Sequence, residues 1–158
     1  MRDNNAPLAS IRLHPALVII VALAIFSAQK NLWTTHLPRS VAVAAQPTGH
    51  AISLIGVVVL VFAYGAMALH RTTINPRQHT RTIVTNGIYR LSRNPIYIGW
   101  FLLLTGQAIR NLNLGQLIVA IVMLVTLHFA VVLKEEQYLE NAFGDQYKNY
   151  KQKVRRWL

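Results

Sequence analysis

The residues most suited to chemistry lie between positions 85 and 100, which read Thr-Asn-Gly-Ile-Tyr-Arg-Leu-Ser-Arg-Asn-Pro-Ile-Tyr-Ile-Gly-Trp. Two arginines, Arg90 and Arg93, can bind an anionic group, and two tyrosines, Tyr89 and Tyr97, add aromatic surface beside them. An apolar stretch follows without a break. This placement at a membrane entry predicts an interfacial binding site. The alternatives are that the arginines extend to lipid phosphates and that the aromatic rings belong to an interfacial belt.

The acidic residues form a second cluster. Four of the five carboxylates lie between Glu135 and Asp145, and two of them, Glu135 and Glu136, are adjacent. An adjacent pair at the end of a transmembrane helix can bind a cationic group. The alternative is that the pair solvates the helix exit and forms ion pairs with Arg90 or Arg93.

The composition indicates an integral membrane protein. Hydrophobic residues make up 53% of the 158 positions and charged residues 13%, and there is no cysteine to form a disulfide or a thiolate metal site. The six histidines show no pair at ligand spacing with a carboxylate on the same face, so we expect no metal site. His128 lies inside an apolar stretch and faces either a polar interior or another helix, and an ionisable residue in such a place is a candidate for ligand contact.

The apolar stretches predict one all-α domain over residues 1–158, a polytopic membrane protein with about four transmembrane helices. The last two are so close that they predict a tight C-terminal hairpin. The predicted membrane segments are 15–33, 51–69, 95–109 and 114–133, with 34–49 as an external loop. Residues 70–94 and 134–158 then lie together on one side of the membrane, and they carry the site.

The basic residues predict which side that is. All but three of the 16 Lys and Arg residues fall on the side of the two termini, the exceptions being Lys30, Arg39 and Arg110. Positive charge marks the cytoplasmic side, so we expect a multi-pass protein with both termini cytoplasmic, in the inner or plasma membrane of a prokaryote. Anionic membrane lipids explain the net charge of +11 without nucleic acid. A cleaved signal peptide is disfavoured, because Phe26 lies where cleavage requires a small residue.

Turn chemistry predicts the local structure around both clusters. Gly87 suits a tight turn, Pro95 suits the first turn of a helix, and Asn94 before it suits the N-cap. Gly99 and Gly106 suit close helix packing. Downstream, Gly144 suits a helix stop, and a short helix over 145–157 would present an apolar stripe to the membrane surface. That stripe consists of Tyr147, Tyr150, Val154 and Trp157.

The run from Arg81 to Gly99 resembles the signature of the isoprenylcysteine carboxyl methyltransferase and phospholipid methyltransferase superfamily. The second part of that signature follows as Glu135-Glu136, Leu139, Phe143-Gly144, Tyr147, Tyr150 and Val154-Arg155. The resemblance implies a membrane enzyme that transfers a methyl group from S-adenosyl-L-methionine to a lipophilic small molecule or lipid, with no known protein partner.

By position, the resemblance implies that the cofactor is bound by Arg81, Thr82, Ile83, Val84, Tyr89, Asn94, Pro95, Ile96, Tyr97, Glu135 and Glu136. It further implies Glu135, Asn94 and Arg90 as candidate catalytic residues. Asn94 replaces the family's usual histidine, so hydrogen bonding carries over but a titratable imidazole does not. Val131 replaces an arginine of the eukaryotic carboxyl methyltransferases, which weakens the case for a prenylcysteine carboxylate as acceptor.

Two rival functions remain open on sequence alone. Related membrane sterol and steroid reductases have a similar Arg-x-Pro-x-Tyr-x-Gly run and bind NADPH, but they are generally longer. A non-enzymatic membrane scaffold would explain the basic inner surface, although not the spacing of the two clusters.

Overall fold

The described part of the chain is all-helical. A computed structural model describes residues 14–29, 35, 38–69 and 83–158. Its helices are α1 (Pro15–Ala28), α2 (Arg39–Leu69), α3 (Pro95–Arg110), α4 (Leu114–Leu127), α5 (Leu133–Phe143) and α6 (Asp145–Lys153). A 3₁₀ turn, Gly87–Arg90, precedes α3, and a π-helical turn, His128–Val132, joins α4 to α5.

The helices pack side by side in the order α2, α3, α4, α1. Apolar side chains of α1, such as Phe26, pack with Met123 and Leu127 of α4 and with Leu104 of α3 in one core cluster. The outer surface of the bundle is also apolar, since Ile20, Leu54, Phe62 and Val125 are among its exposed side chains. Large exposed apolar surface of this extent suits contact with lipid or with another protein.

Two helical spans are long and apolar enough to cross a membrane, Arg39–Leu69 and Leu114–Phe143. Helix α1 has 14 residues and α3 has 16, so neither reaches that length within the described residues. Four crossings were predicted, and length and composition support two of them. The predicted C-terminal hairpin is confirmed, because α3 and α4 are joined by Asn111–Asn113 alone.

The prediction of an external loop over residues 34–49 is wrong from Arg39 onward, where α2 begins. Pro47 lies inside this helix, although proline removes one backbone donor there. The helix continues through Pro47 because the N-terminal part of α2 is held against α3. Gln46 Nε2 donates to the Arg110 carbonyl at 3.1 Å, and Gly49 packs directly on the α3 backbone.

Glycines bring α2 and α3 into backbone contact at two levels. A Cβ added to Gly56 would lie 2.8 Å from the Gly99 carbonyl oxygen, and one added to Gly106 would lie 2.6 Å from the Gly49 carbonyl oxygen. Side chains at these positions would therefore push the helices apart. The packing role predicted for Gly99 and Gly106 is confirmed.

The predicted membrane-facing stripe of α6 instead faces the protein. Tyr147, Tyr150 and Val154 are buried, and they form a cluster with Ile83 and residues of α5. Tyr150 also donates a 2.6 Å hydrogen bond to the Tyr89 carbonyl, which ties α6 to the 3₁₀ turn. Helical periodicity identified the apolar side correctly but could not show what covers it. The helix ends at Lys153, four residues before the predicted end.

Candidate active site

The π turn orients the two adjacent glutamates. At about 100° per residue, an uninterrupted α-helix would place Glu136 on the side opposite buried Leu127. The π turn contains one additional residue, with Leu133 N–H donating to the His128 carbonyl, and so rotates the following helix back by about 100°. Glu135 consequently lies on the side of Leu127, facing α3. Glu136 lies beside it and is 6% exposed.

Glu136 is held between two guanidinium groups. Arg156 Nε and Nη2 donate to its two carboxylate oxygens at 2.9 and 2.8 Å, and Arg93 Nη1 lies 2.9 Å from Oε1. The hydrogen bonds to Glu136 raise the pKa of Arg156. The sequence-based alternative that the glutamate pair binds an arginine is thus confirmed for Glu136 and Arg93. This carboxylate is already compensated.

Glu135 has a different environment. Its two carboxylate oxygens accept from the Tyr97 hydroxyl at 3.1 and 3.3 Å. In residues 14–29, 35, 38–69 and 83–158, no cation lies within ion-pair distance of it. The hydrogen bond joins the two sequence clusters, since Tyr97 belongs to the arginine-tyrosine segment. Within the described ranges, it leaves Glu135 as a partly buried carboxylate without a cationic partner.

Aromatic side chains from three elements form a cluster that includes Tyr89, which lies near this carboxylate. Burial raises the pKa of Tyr89 far above its ordinary value, and nearby Tyr150, Tyr64 and Glu135 add to the shift. Trp100 on α3 donates to the hydroxyl of Tyr64 on α2 at 3.4 Å. Tyr64 was not predicted as a site residue, because its position four residues after Leu60 fits an ordinary membrane helix. Its proximity to Tyr89 and Trp100 depends on the packing of α2 against α3.

The segment after α6 completes the cluster. The Arg156 carbonyl accepts from Ser92 Oγ at 3.1 Å and from Asn94 Nδ2 at 3.0 Å, and the Arg155 carbonyl accepts from Arg93 N–H at 3.0 Å. Asn94 does occupy the N-cap position of α3, but its side chain makes no capping bond. Its amide instead holds the C-terminal segment against the start of α3. Arg156 was also missed, because no pattern in the sequence indicates that it contacts Glu136.

Trp157 packs on the other side of the π turn. Its ring centroid lies 5.8 Å from that of His128, whose Nδ1 is buried and has no hydrogen-bond partner in the described part of the chain. His128 therefore packs against the C-terminal segment.

The structure brings several of the predicted cofactor residues together. Val84 packs with Tyr89 and Ala63, and Ile96 contacts both this cluster and the main core. Pro95 is fully buried at the first turn of α3, as predicted, and Ile83 packs on the α6 tyrosines. The predicted turn at Gly87 has φ +60°. Arg81 and Thr82 lie outside the described residues.

Arg90 is not part of this cluster. It ends the 3₁₀ turn with an exposed side chain, and no ion pair forms to it among the residues described. Arg90 and Arg93 have different environments, because the turn ends before Arg93, whose side chain is 9% exposed. A catalytic role for Arg90, Asn94 or Glu135 stays a prediction.

The arrangement suits a small cationic ligand. A carboxylate attracts a positive charge, and the faces of nearby aromatic rings stabilise an ammonium or sulfonium group. Glu136, Arg93 and Arg156 fix the helix that carries Glu135. The site thus combines one available carboxylate with a rigid support.

Comparison with known proteins identifies the family of this chain. A model of the phospholipid methyltransferase family matches residues 45–146, well over half of the chain. An uncharacterised protein of Haemophilus influenzae is 54% identical over 46 residues, which cover 29% of this chain and 71% of that protein. No solved structure matches.

Two relatives are described as protein-S-isoprenylcysteine O-methyltransferases. The one from Schizosaccharomyces pombe is 32% identical over 78 residues, or 49% of this chain and 33% of its own length. The one from Xenopus laevis is 32% identical over 81 residues, or 51% of this chain and 28% of its own length. The matches thus span about a third of these two relatives. The family match and these similarities confirm the resemblance of the two motifs, and the chain belongs to the phospholipid methyltransferase family.

Proposed function

We propose that this protein is an integral membrane enzyme that transfers the methyl group of S-adenosyl-L-methionine to a lipophilic acceptor at the cytosolic face. Family membership supports methyl transfer in general. The observation that carries the specific proposal is the Tyr97–Glu135 hydrogen bond, which joins the two family motifs around an uncompensated carboxylate.

The residues present fit this methyl donor. Its methionine part carries an ammonium group, which Glu135 would bind by a charge-assisted hydrogen bond. Tyr97 would hold the carboxylate in place, while Tyr89 and Tyr64 provide aromatic surface for a sulfonium. Glu136 is less suited to this role, because Arg93 and Arg156 already compensate its charge.

The donor supplies an activated methyl group when bound, so the protein needs chiefly to align the reactants and exclude water. Packing of Val84, Ile96 and the α6 tyrosines keeps this region apolar. We propose Glu135 as a residue that orients the donor and Asn94 as a residue that positions the C-terminal segment.

The proposed topology retains four membrane segments with both termini cytoplasmic, in the inner or plasma membrane of a prokaryote. Helix α2 and the α4–α5 span are long enough to cross by themselves. Helix α3 is shorter but is packed between α2 and α4, so its backbone is covered by protein. The apolar outer surface is then in contact with membrane lipids.

Binding measurements with purified protein in detergent test the proposed function. Isothermal titration with S-adenosylmethionine, S-adenosylhomocysteine and NADPH should show binding of the first two only. Transfer of a radiolabelled methyl group to extracted lipids should then be lost in Glu135→Gln. Binding of NADPH alone would indicate a reductase, and binding of none of the three would favour the scaffold.

A further inference from the structure

Arg93 has a buried donor without an acceptor among the residues that the structure describes. Its side chain is 9% exposed, and its Nη1 lies 2.9 Å from Glu136. The Nε of the same guanidinium is buried and has no hydrogen-bond partner within the described ranges. An unpaired buried donor on a charged group costs free energy, so a partner for this atom is expected.

The charges around Arg93 are also unbalanced. Glu136 is one carboxylate, yet both Arg93 and Arg156 use it. Tyr147 lies close by and, like any tyrosine, is uncharged at neutral pH. Burial raises its pKa further, to about 12; Glu136 adds to this shift and Arg93 opposes it. The three charged groups thus leave an excess of one positive charge. In a partly desolvated cluster, such an excess attracts an anion.

Glu135 is the residue next to Glu136, and it has no cationic partner among the described residues, where Tyr97 alone donates to its carboxylate. Arg93 contacts Glu136, and Glu135 precedes Glu136 on α5. A carboxylate without a cationic partner and a guanidinium donor without an acceptor match the ammonium and the carboxylate of an amino-acid group.

We propose that Arg93 binds an anionic oxygen group of the ligand through Nε, and that this group is the carboxylate of the methionine part of the methyl donor. This assignment rests on the proposed function, because it takes Glu135 as the site of the ammonium. A phosphate of a bound lipid offers the same chemistry and is distinguished below.

Decarboxylated S-adenosylmethionine, which keeps the ammonium and the sulfonium but lacks the carboxylate, is the discriminating probe. The wild type should bind it about tenfold to a hundredfold more weakly than S-adenosylmethionine, as expected for a charge-assisted hydrogen bond. Arg93→Lys keeps a cation for Glu136 but removes Nε, so the ratio of the two affinities should fall towards one.

Arg155→Lys is the matched control. Its side chain is exposed, and the contact it makes with Arg93 is through its backbone carbonyl. The affinity ratio should therefore equal that of the wild type. A change in stability alone would alter both affinities together and leave the ratio unchanged.

The outcomes separate this inference from the proposed function. Equal wild-type affinities for the two compounds would overturn the carboxylate assignment while leaving the proposed function intact. Dihexanoyl phosphatidic acid, titrated into wild type and Arg93→Lys, tests the lipid source. If phosphatidic acid binds more weakly to the variant than to the wild type, Arg93 remains a hydrogen-bond donor, but to a lipid phosphate. If no probe distinguishes the variant from the wild type, the role of Arg93 is refuted. A wild type that binds neither adenosyl compound would refute the proposed function.

Discussion

The same substitution at Glu135 and at Glu136 should change two different properties of the protein. Glu136→Gln removes the charge that compensates Arg93 and Arg156, so it should chiefly reduce stability. Glu135→Gln breaks no ion pair in the described structure and should chiefly reduce ligand affinity. The two changes are chemically identical and one residue apart, so the contrast depends on the orientation of α5.

The structure determines the expected loss of stability and of affinity for each variant. Glu136 is 6% exposed and accepts two hydrogen bonds from Arg156 in addition to the Arg93 ion pair. Breaking a buried pair typically costs about 3–5 kcal/mol, because the partner charges remain buried. Glu135→Gln can keep the hydrogen bond from Tyr97, so its stability cost should be about 1 kcal/mol or less. Losing an ammonium partner should weaken S-adenosylmethionine binding about tenfold to a hundredfold.

Unfolding in mixed micelles, followed by circular dichroism, gives the stability differences, and calorimetry gives the affinities. Glu140→Gln on the same helix is the control, because its ion pair with Lys151 is partly exposed and contributes little. The assignment of roles would be refuted if Glu136→Gln were as stable as the wild type, or if Glu135→Gln bound S-adenosylmethionine normally.

Three further changes test the packing around the site. Gly56→Ala should lower the unfolding free energy by about 1–3 kcal/mol through overpacking, whereas Gly65→Ala on the same helix has free space and should not; thermal unfolding compares them. Tyr150→Phe leaves the Tyr89 carbonyl without its donor and should cost about 1–3 kcal/mol in the same assay, and an unchanged transition would contradict the contact. Asn94→Ala should speed tryptic cleavage after Arg155 several-fold by loosening the C-terminal segment; an unchanged rate would argue against that contact.

Local residue chemistry predicted much of the backbone. Gly87 has the positive φ expected of a turn, Pro95 begins α3, and Gly144 follows the last residue of α5 with φ +53°. Each signal depends on conformational limits of a single residue, which act wherever that residue occurs. The positions of this turn and of these helix boundaries could therefore be predicted without knowledge of the fold.

Contacts between distant segments were not predictable in the same way. Nothing near Tyr64 or Arg156 in sequence indicates that each lies close to the glutamate pair. The extension of α2 through Pro47 depends on contacts with α3, which compensate for a residue that usually ends a helix. The π turn has no distinctive sequence signal, yet it decides which way Glu135 and Glu136 face.

In the proposed membrane topology, the paired glycines of α2 and α3 also fix the depth of the site in the bilayer. Gly49 and Gly56 meet Gly106 and Gly99 at matching intervals, so the two helices fit in one register. A slip of one turn, about 5.4 Å, would bring a larger side chain such as Leu60 to a position that only glycine fits. The helices therefore cannot slide past each other to adapt to bilayer thickness. A thicker or thinner membrane must tilt the pair as a unit, and the site then moves with it relative to the lipid head groups.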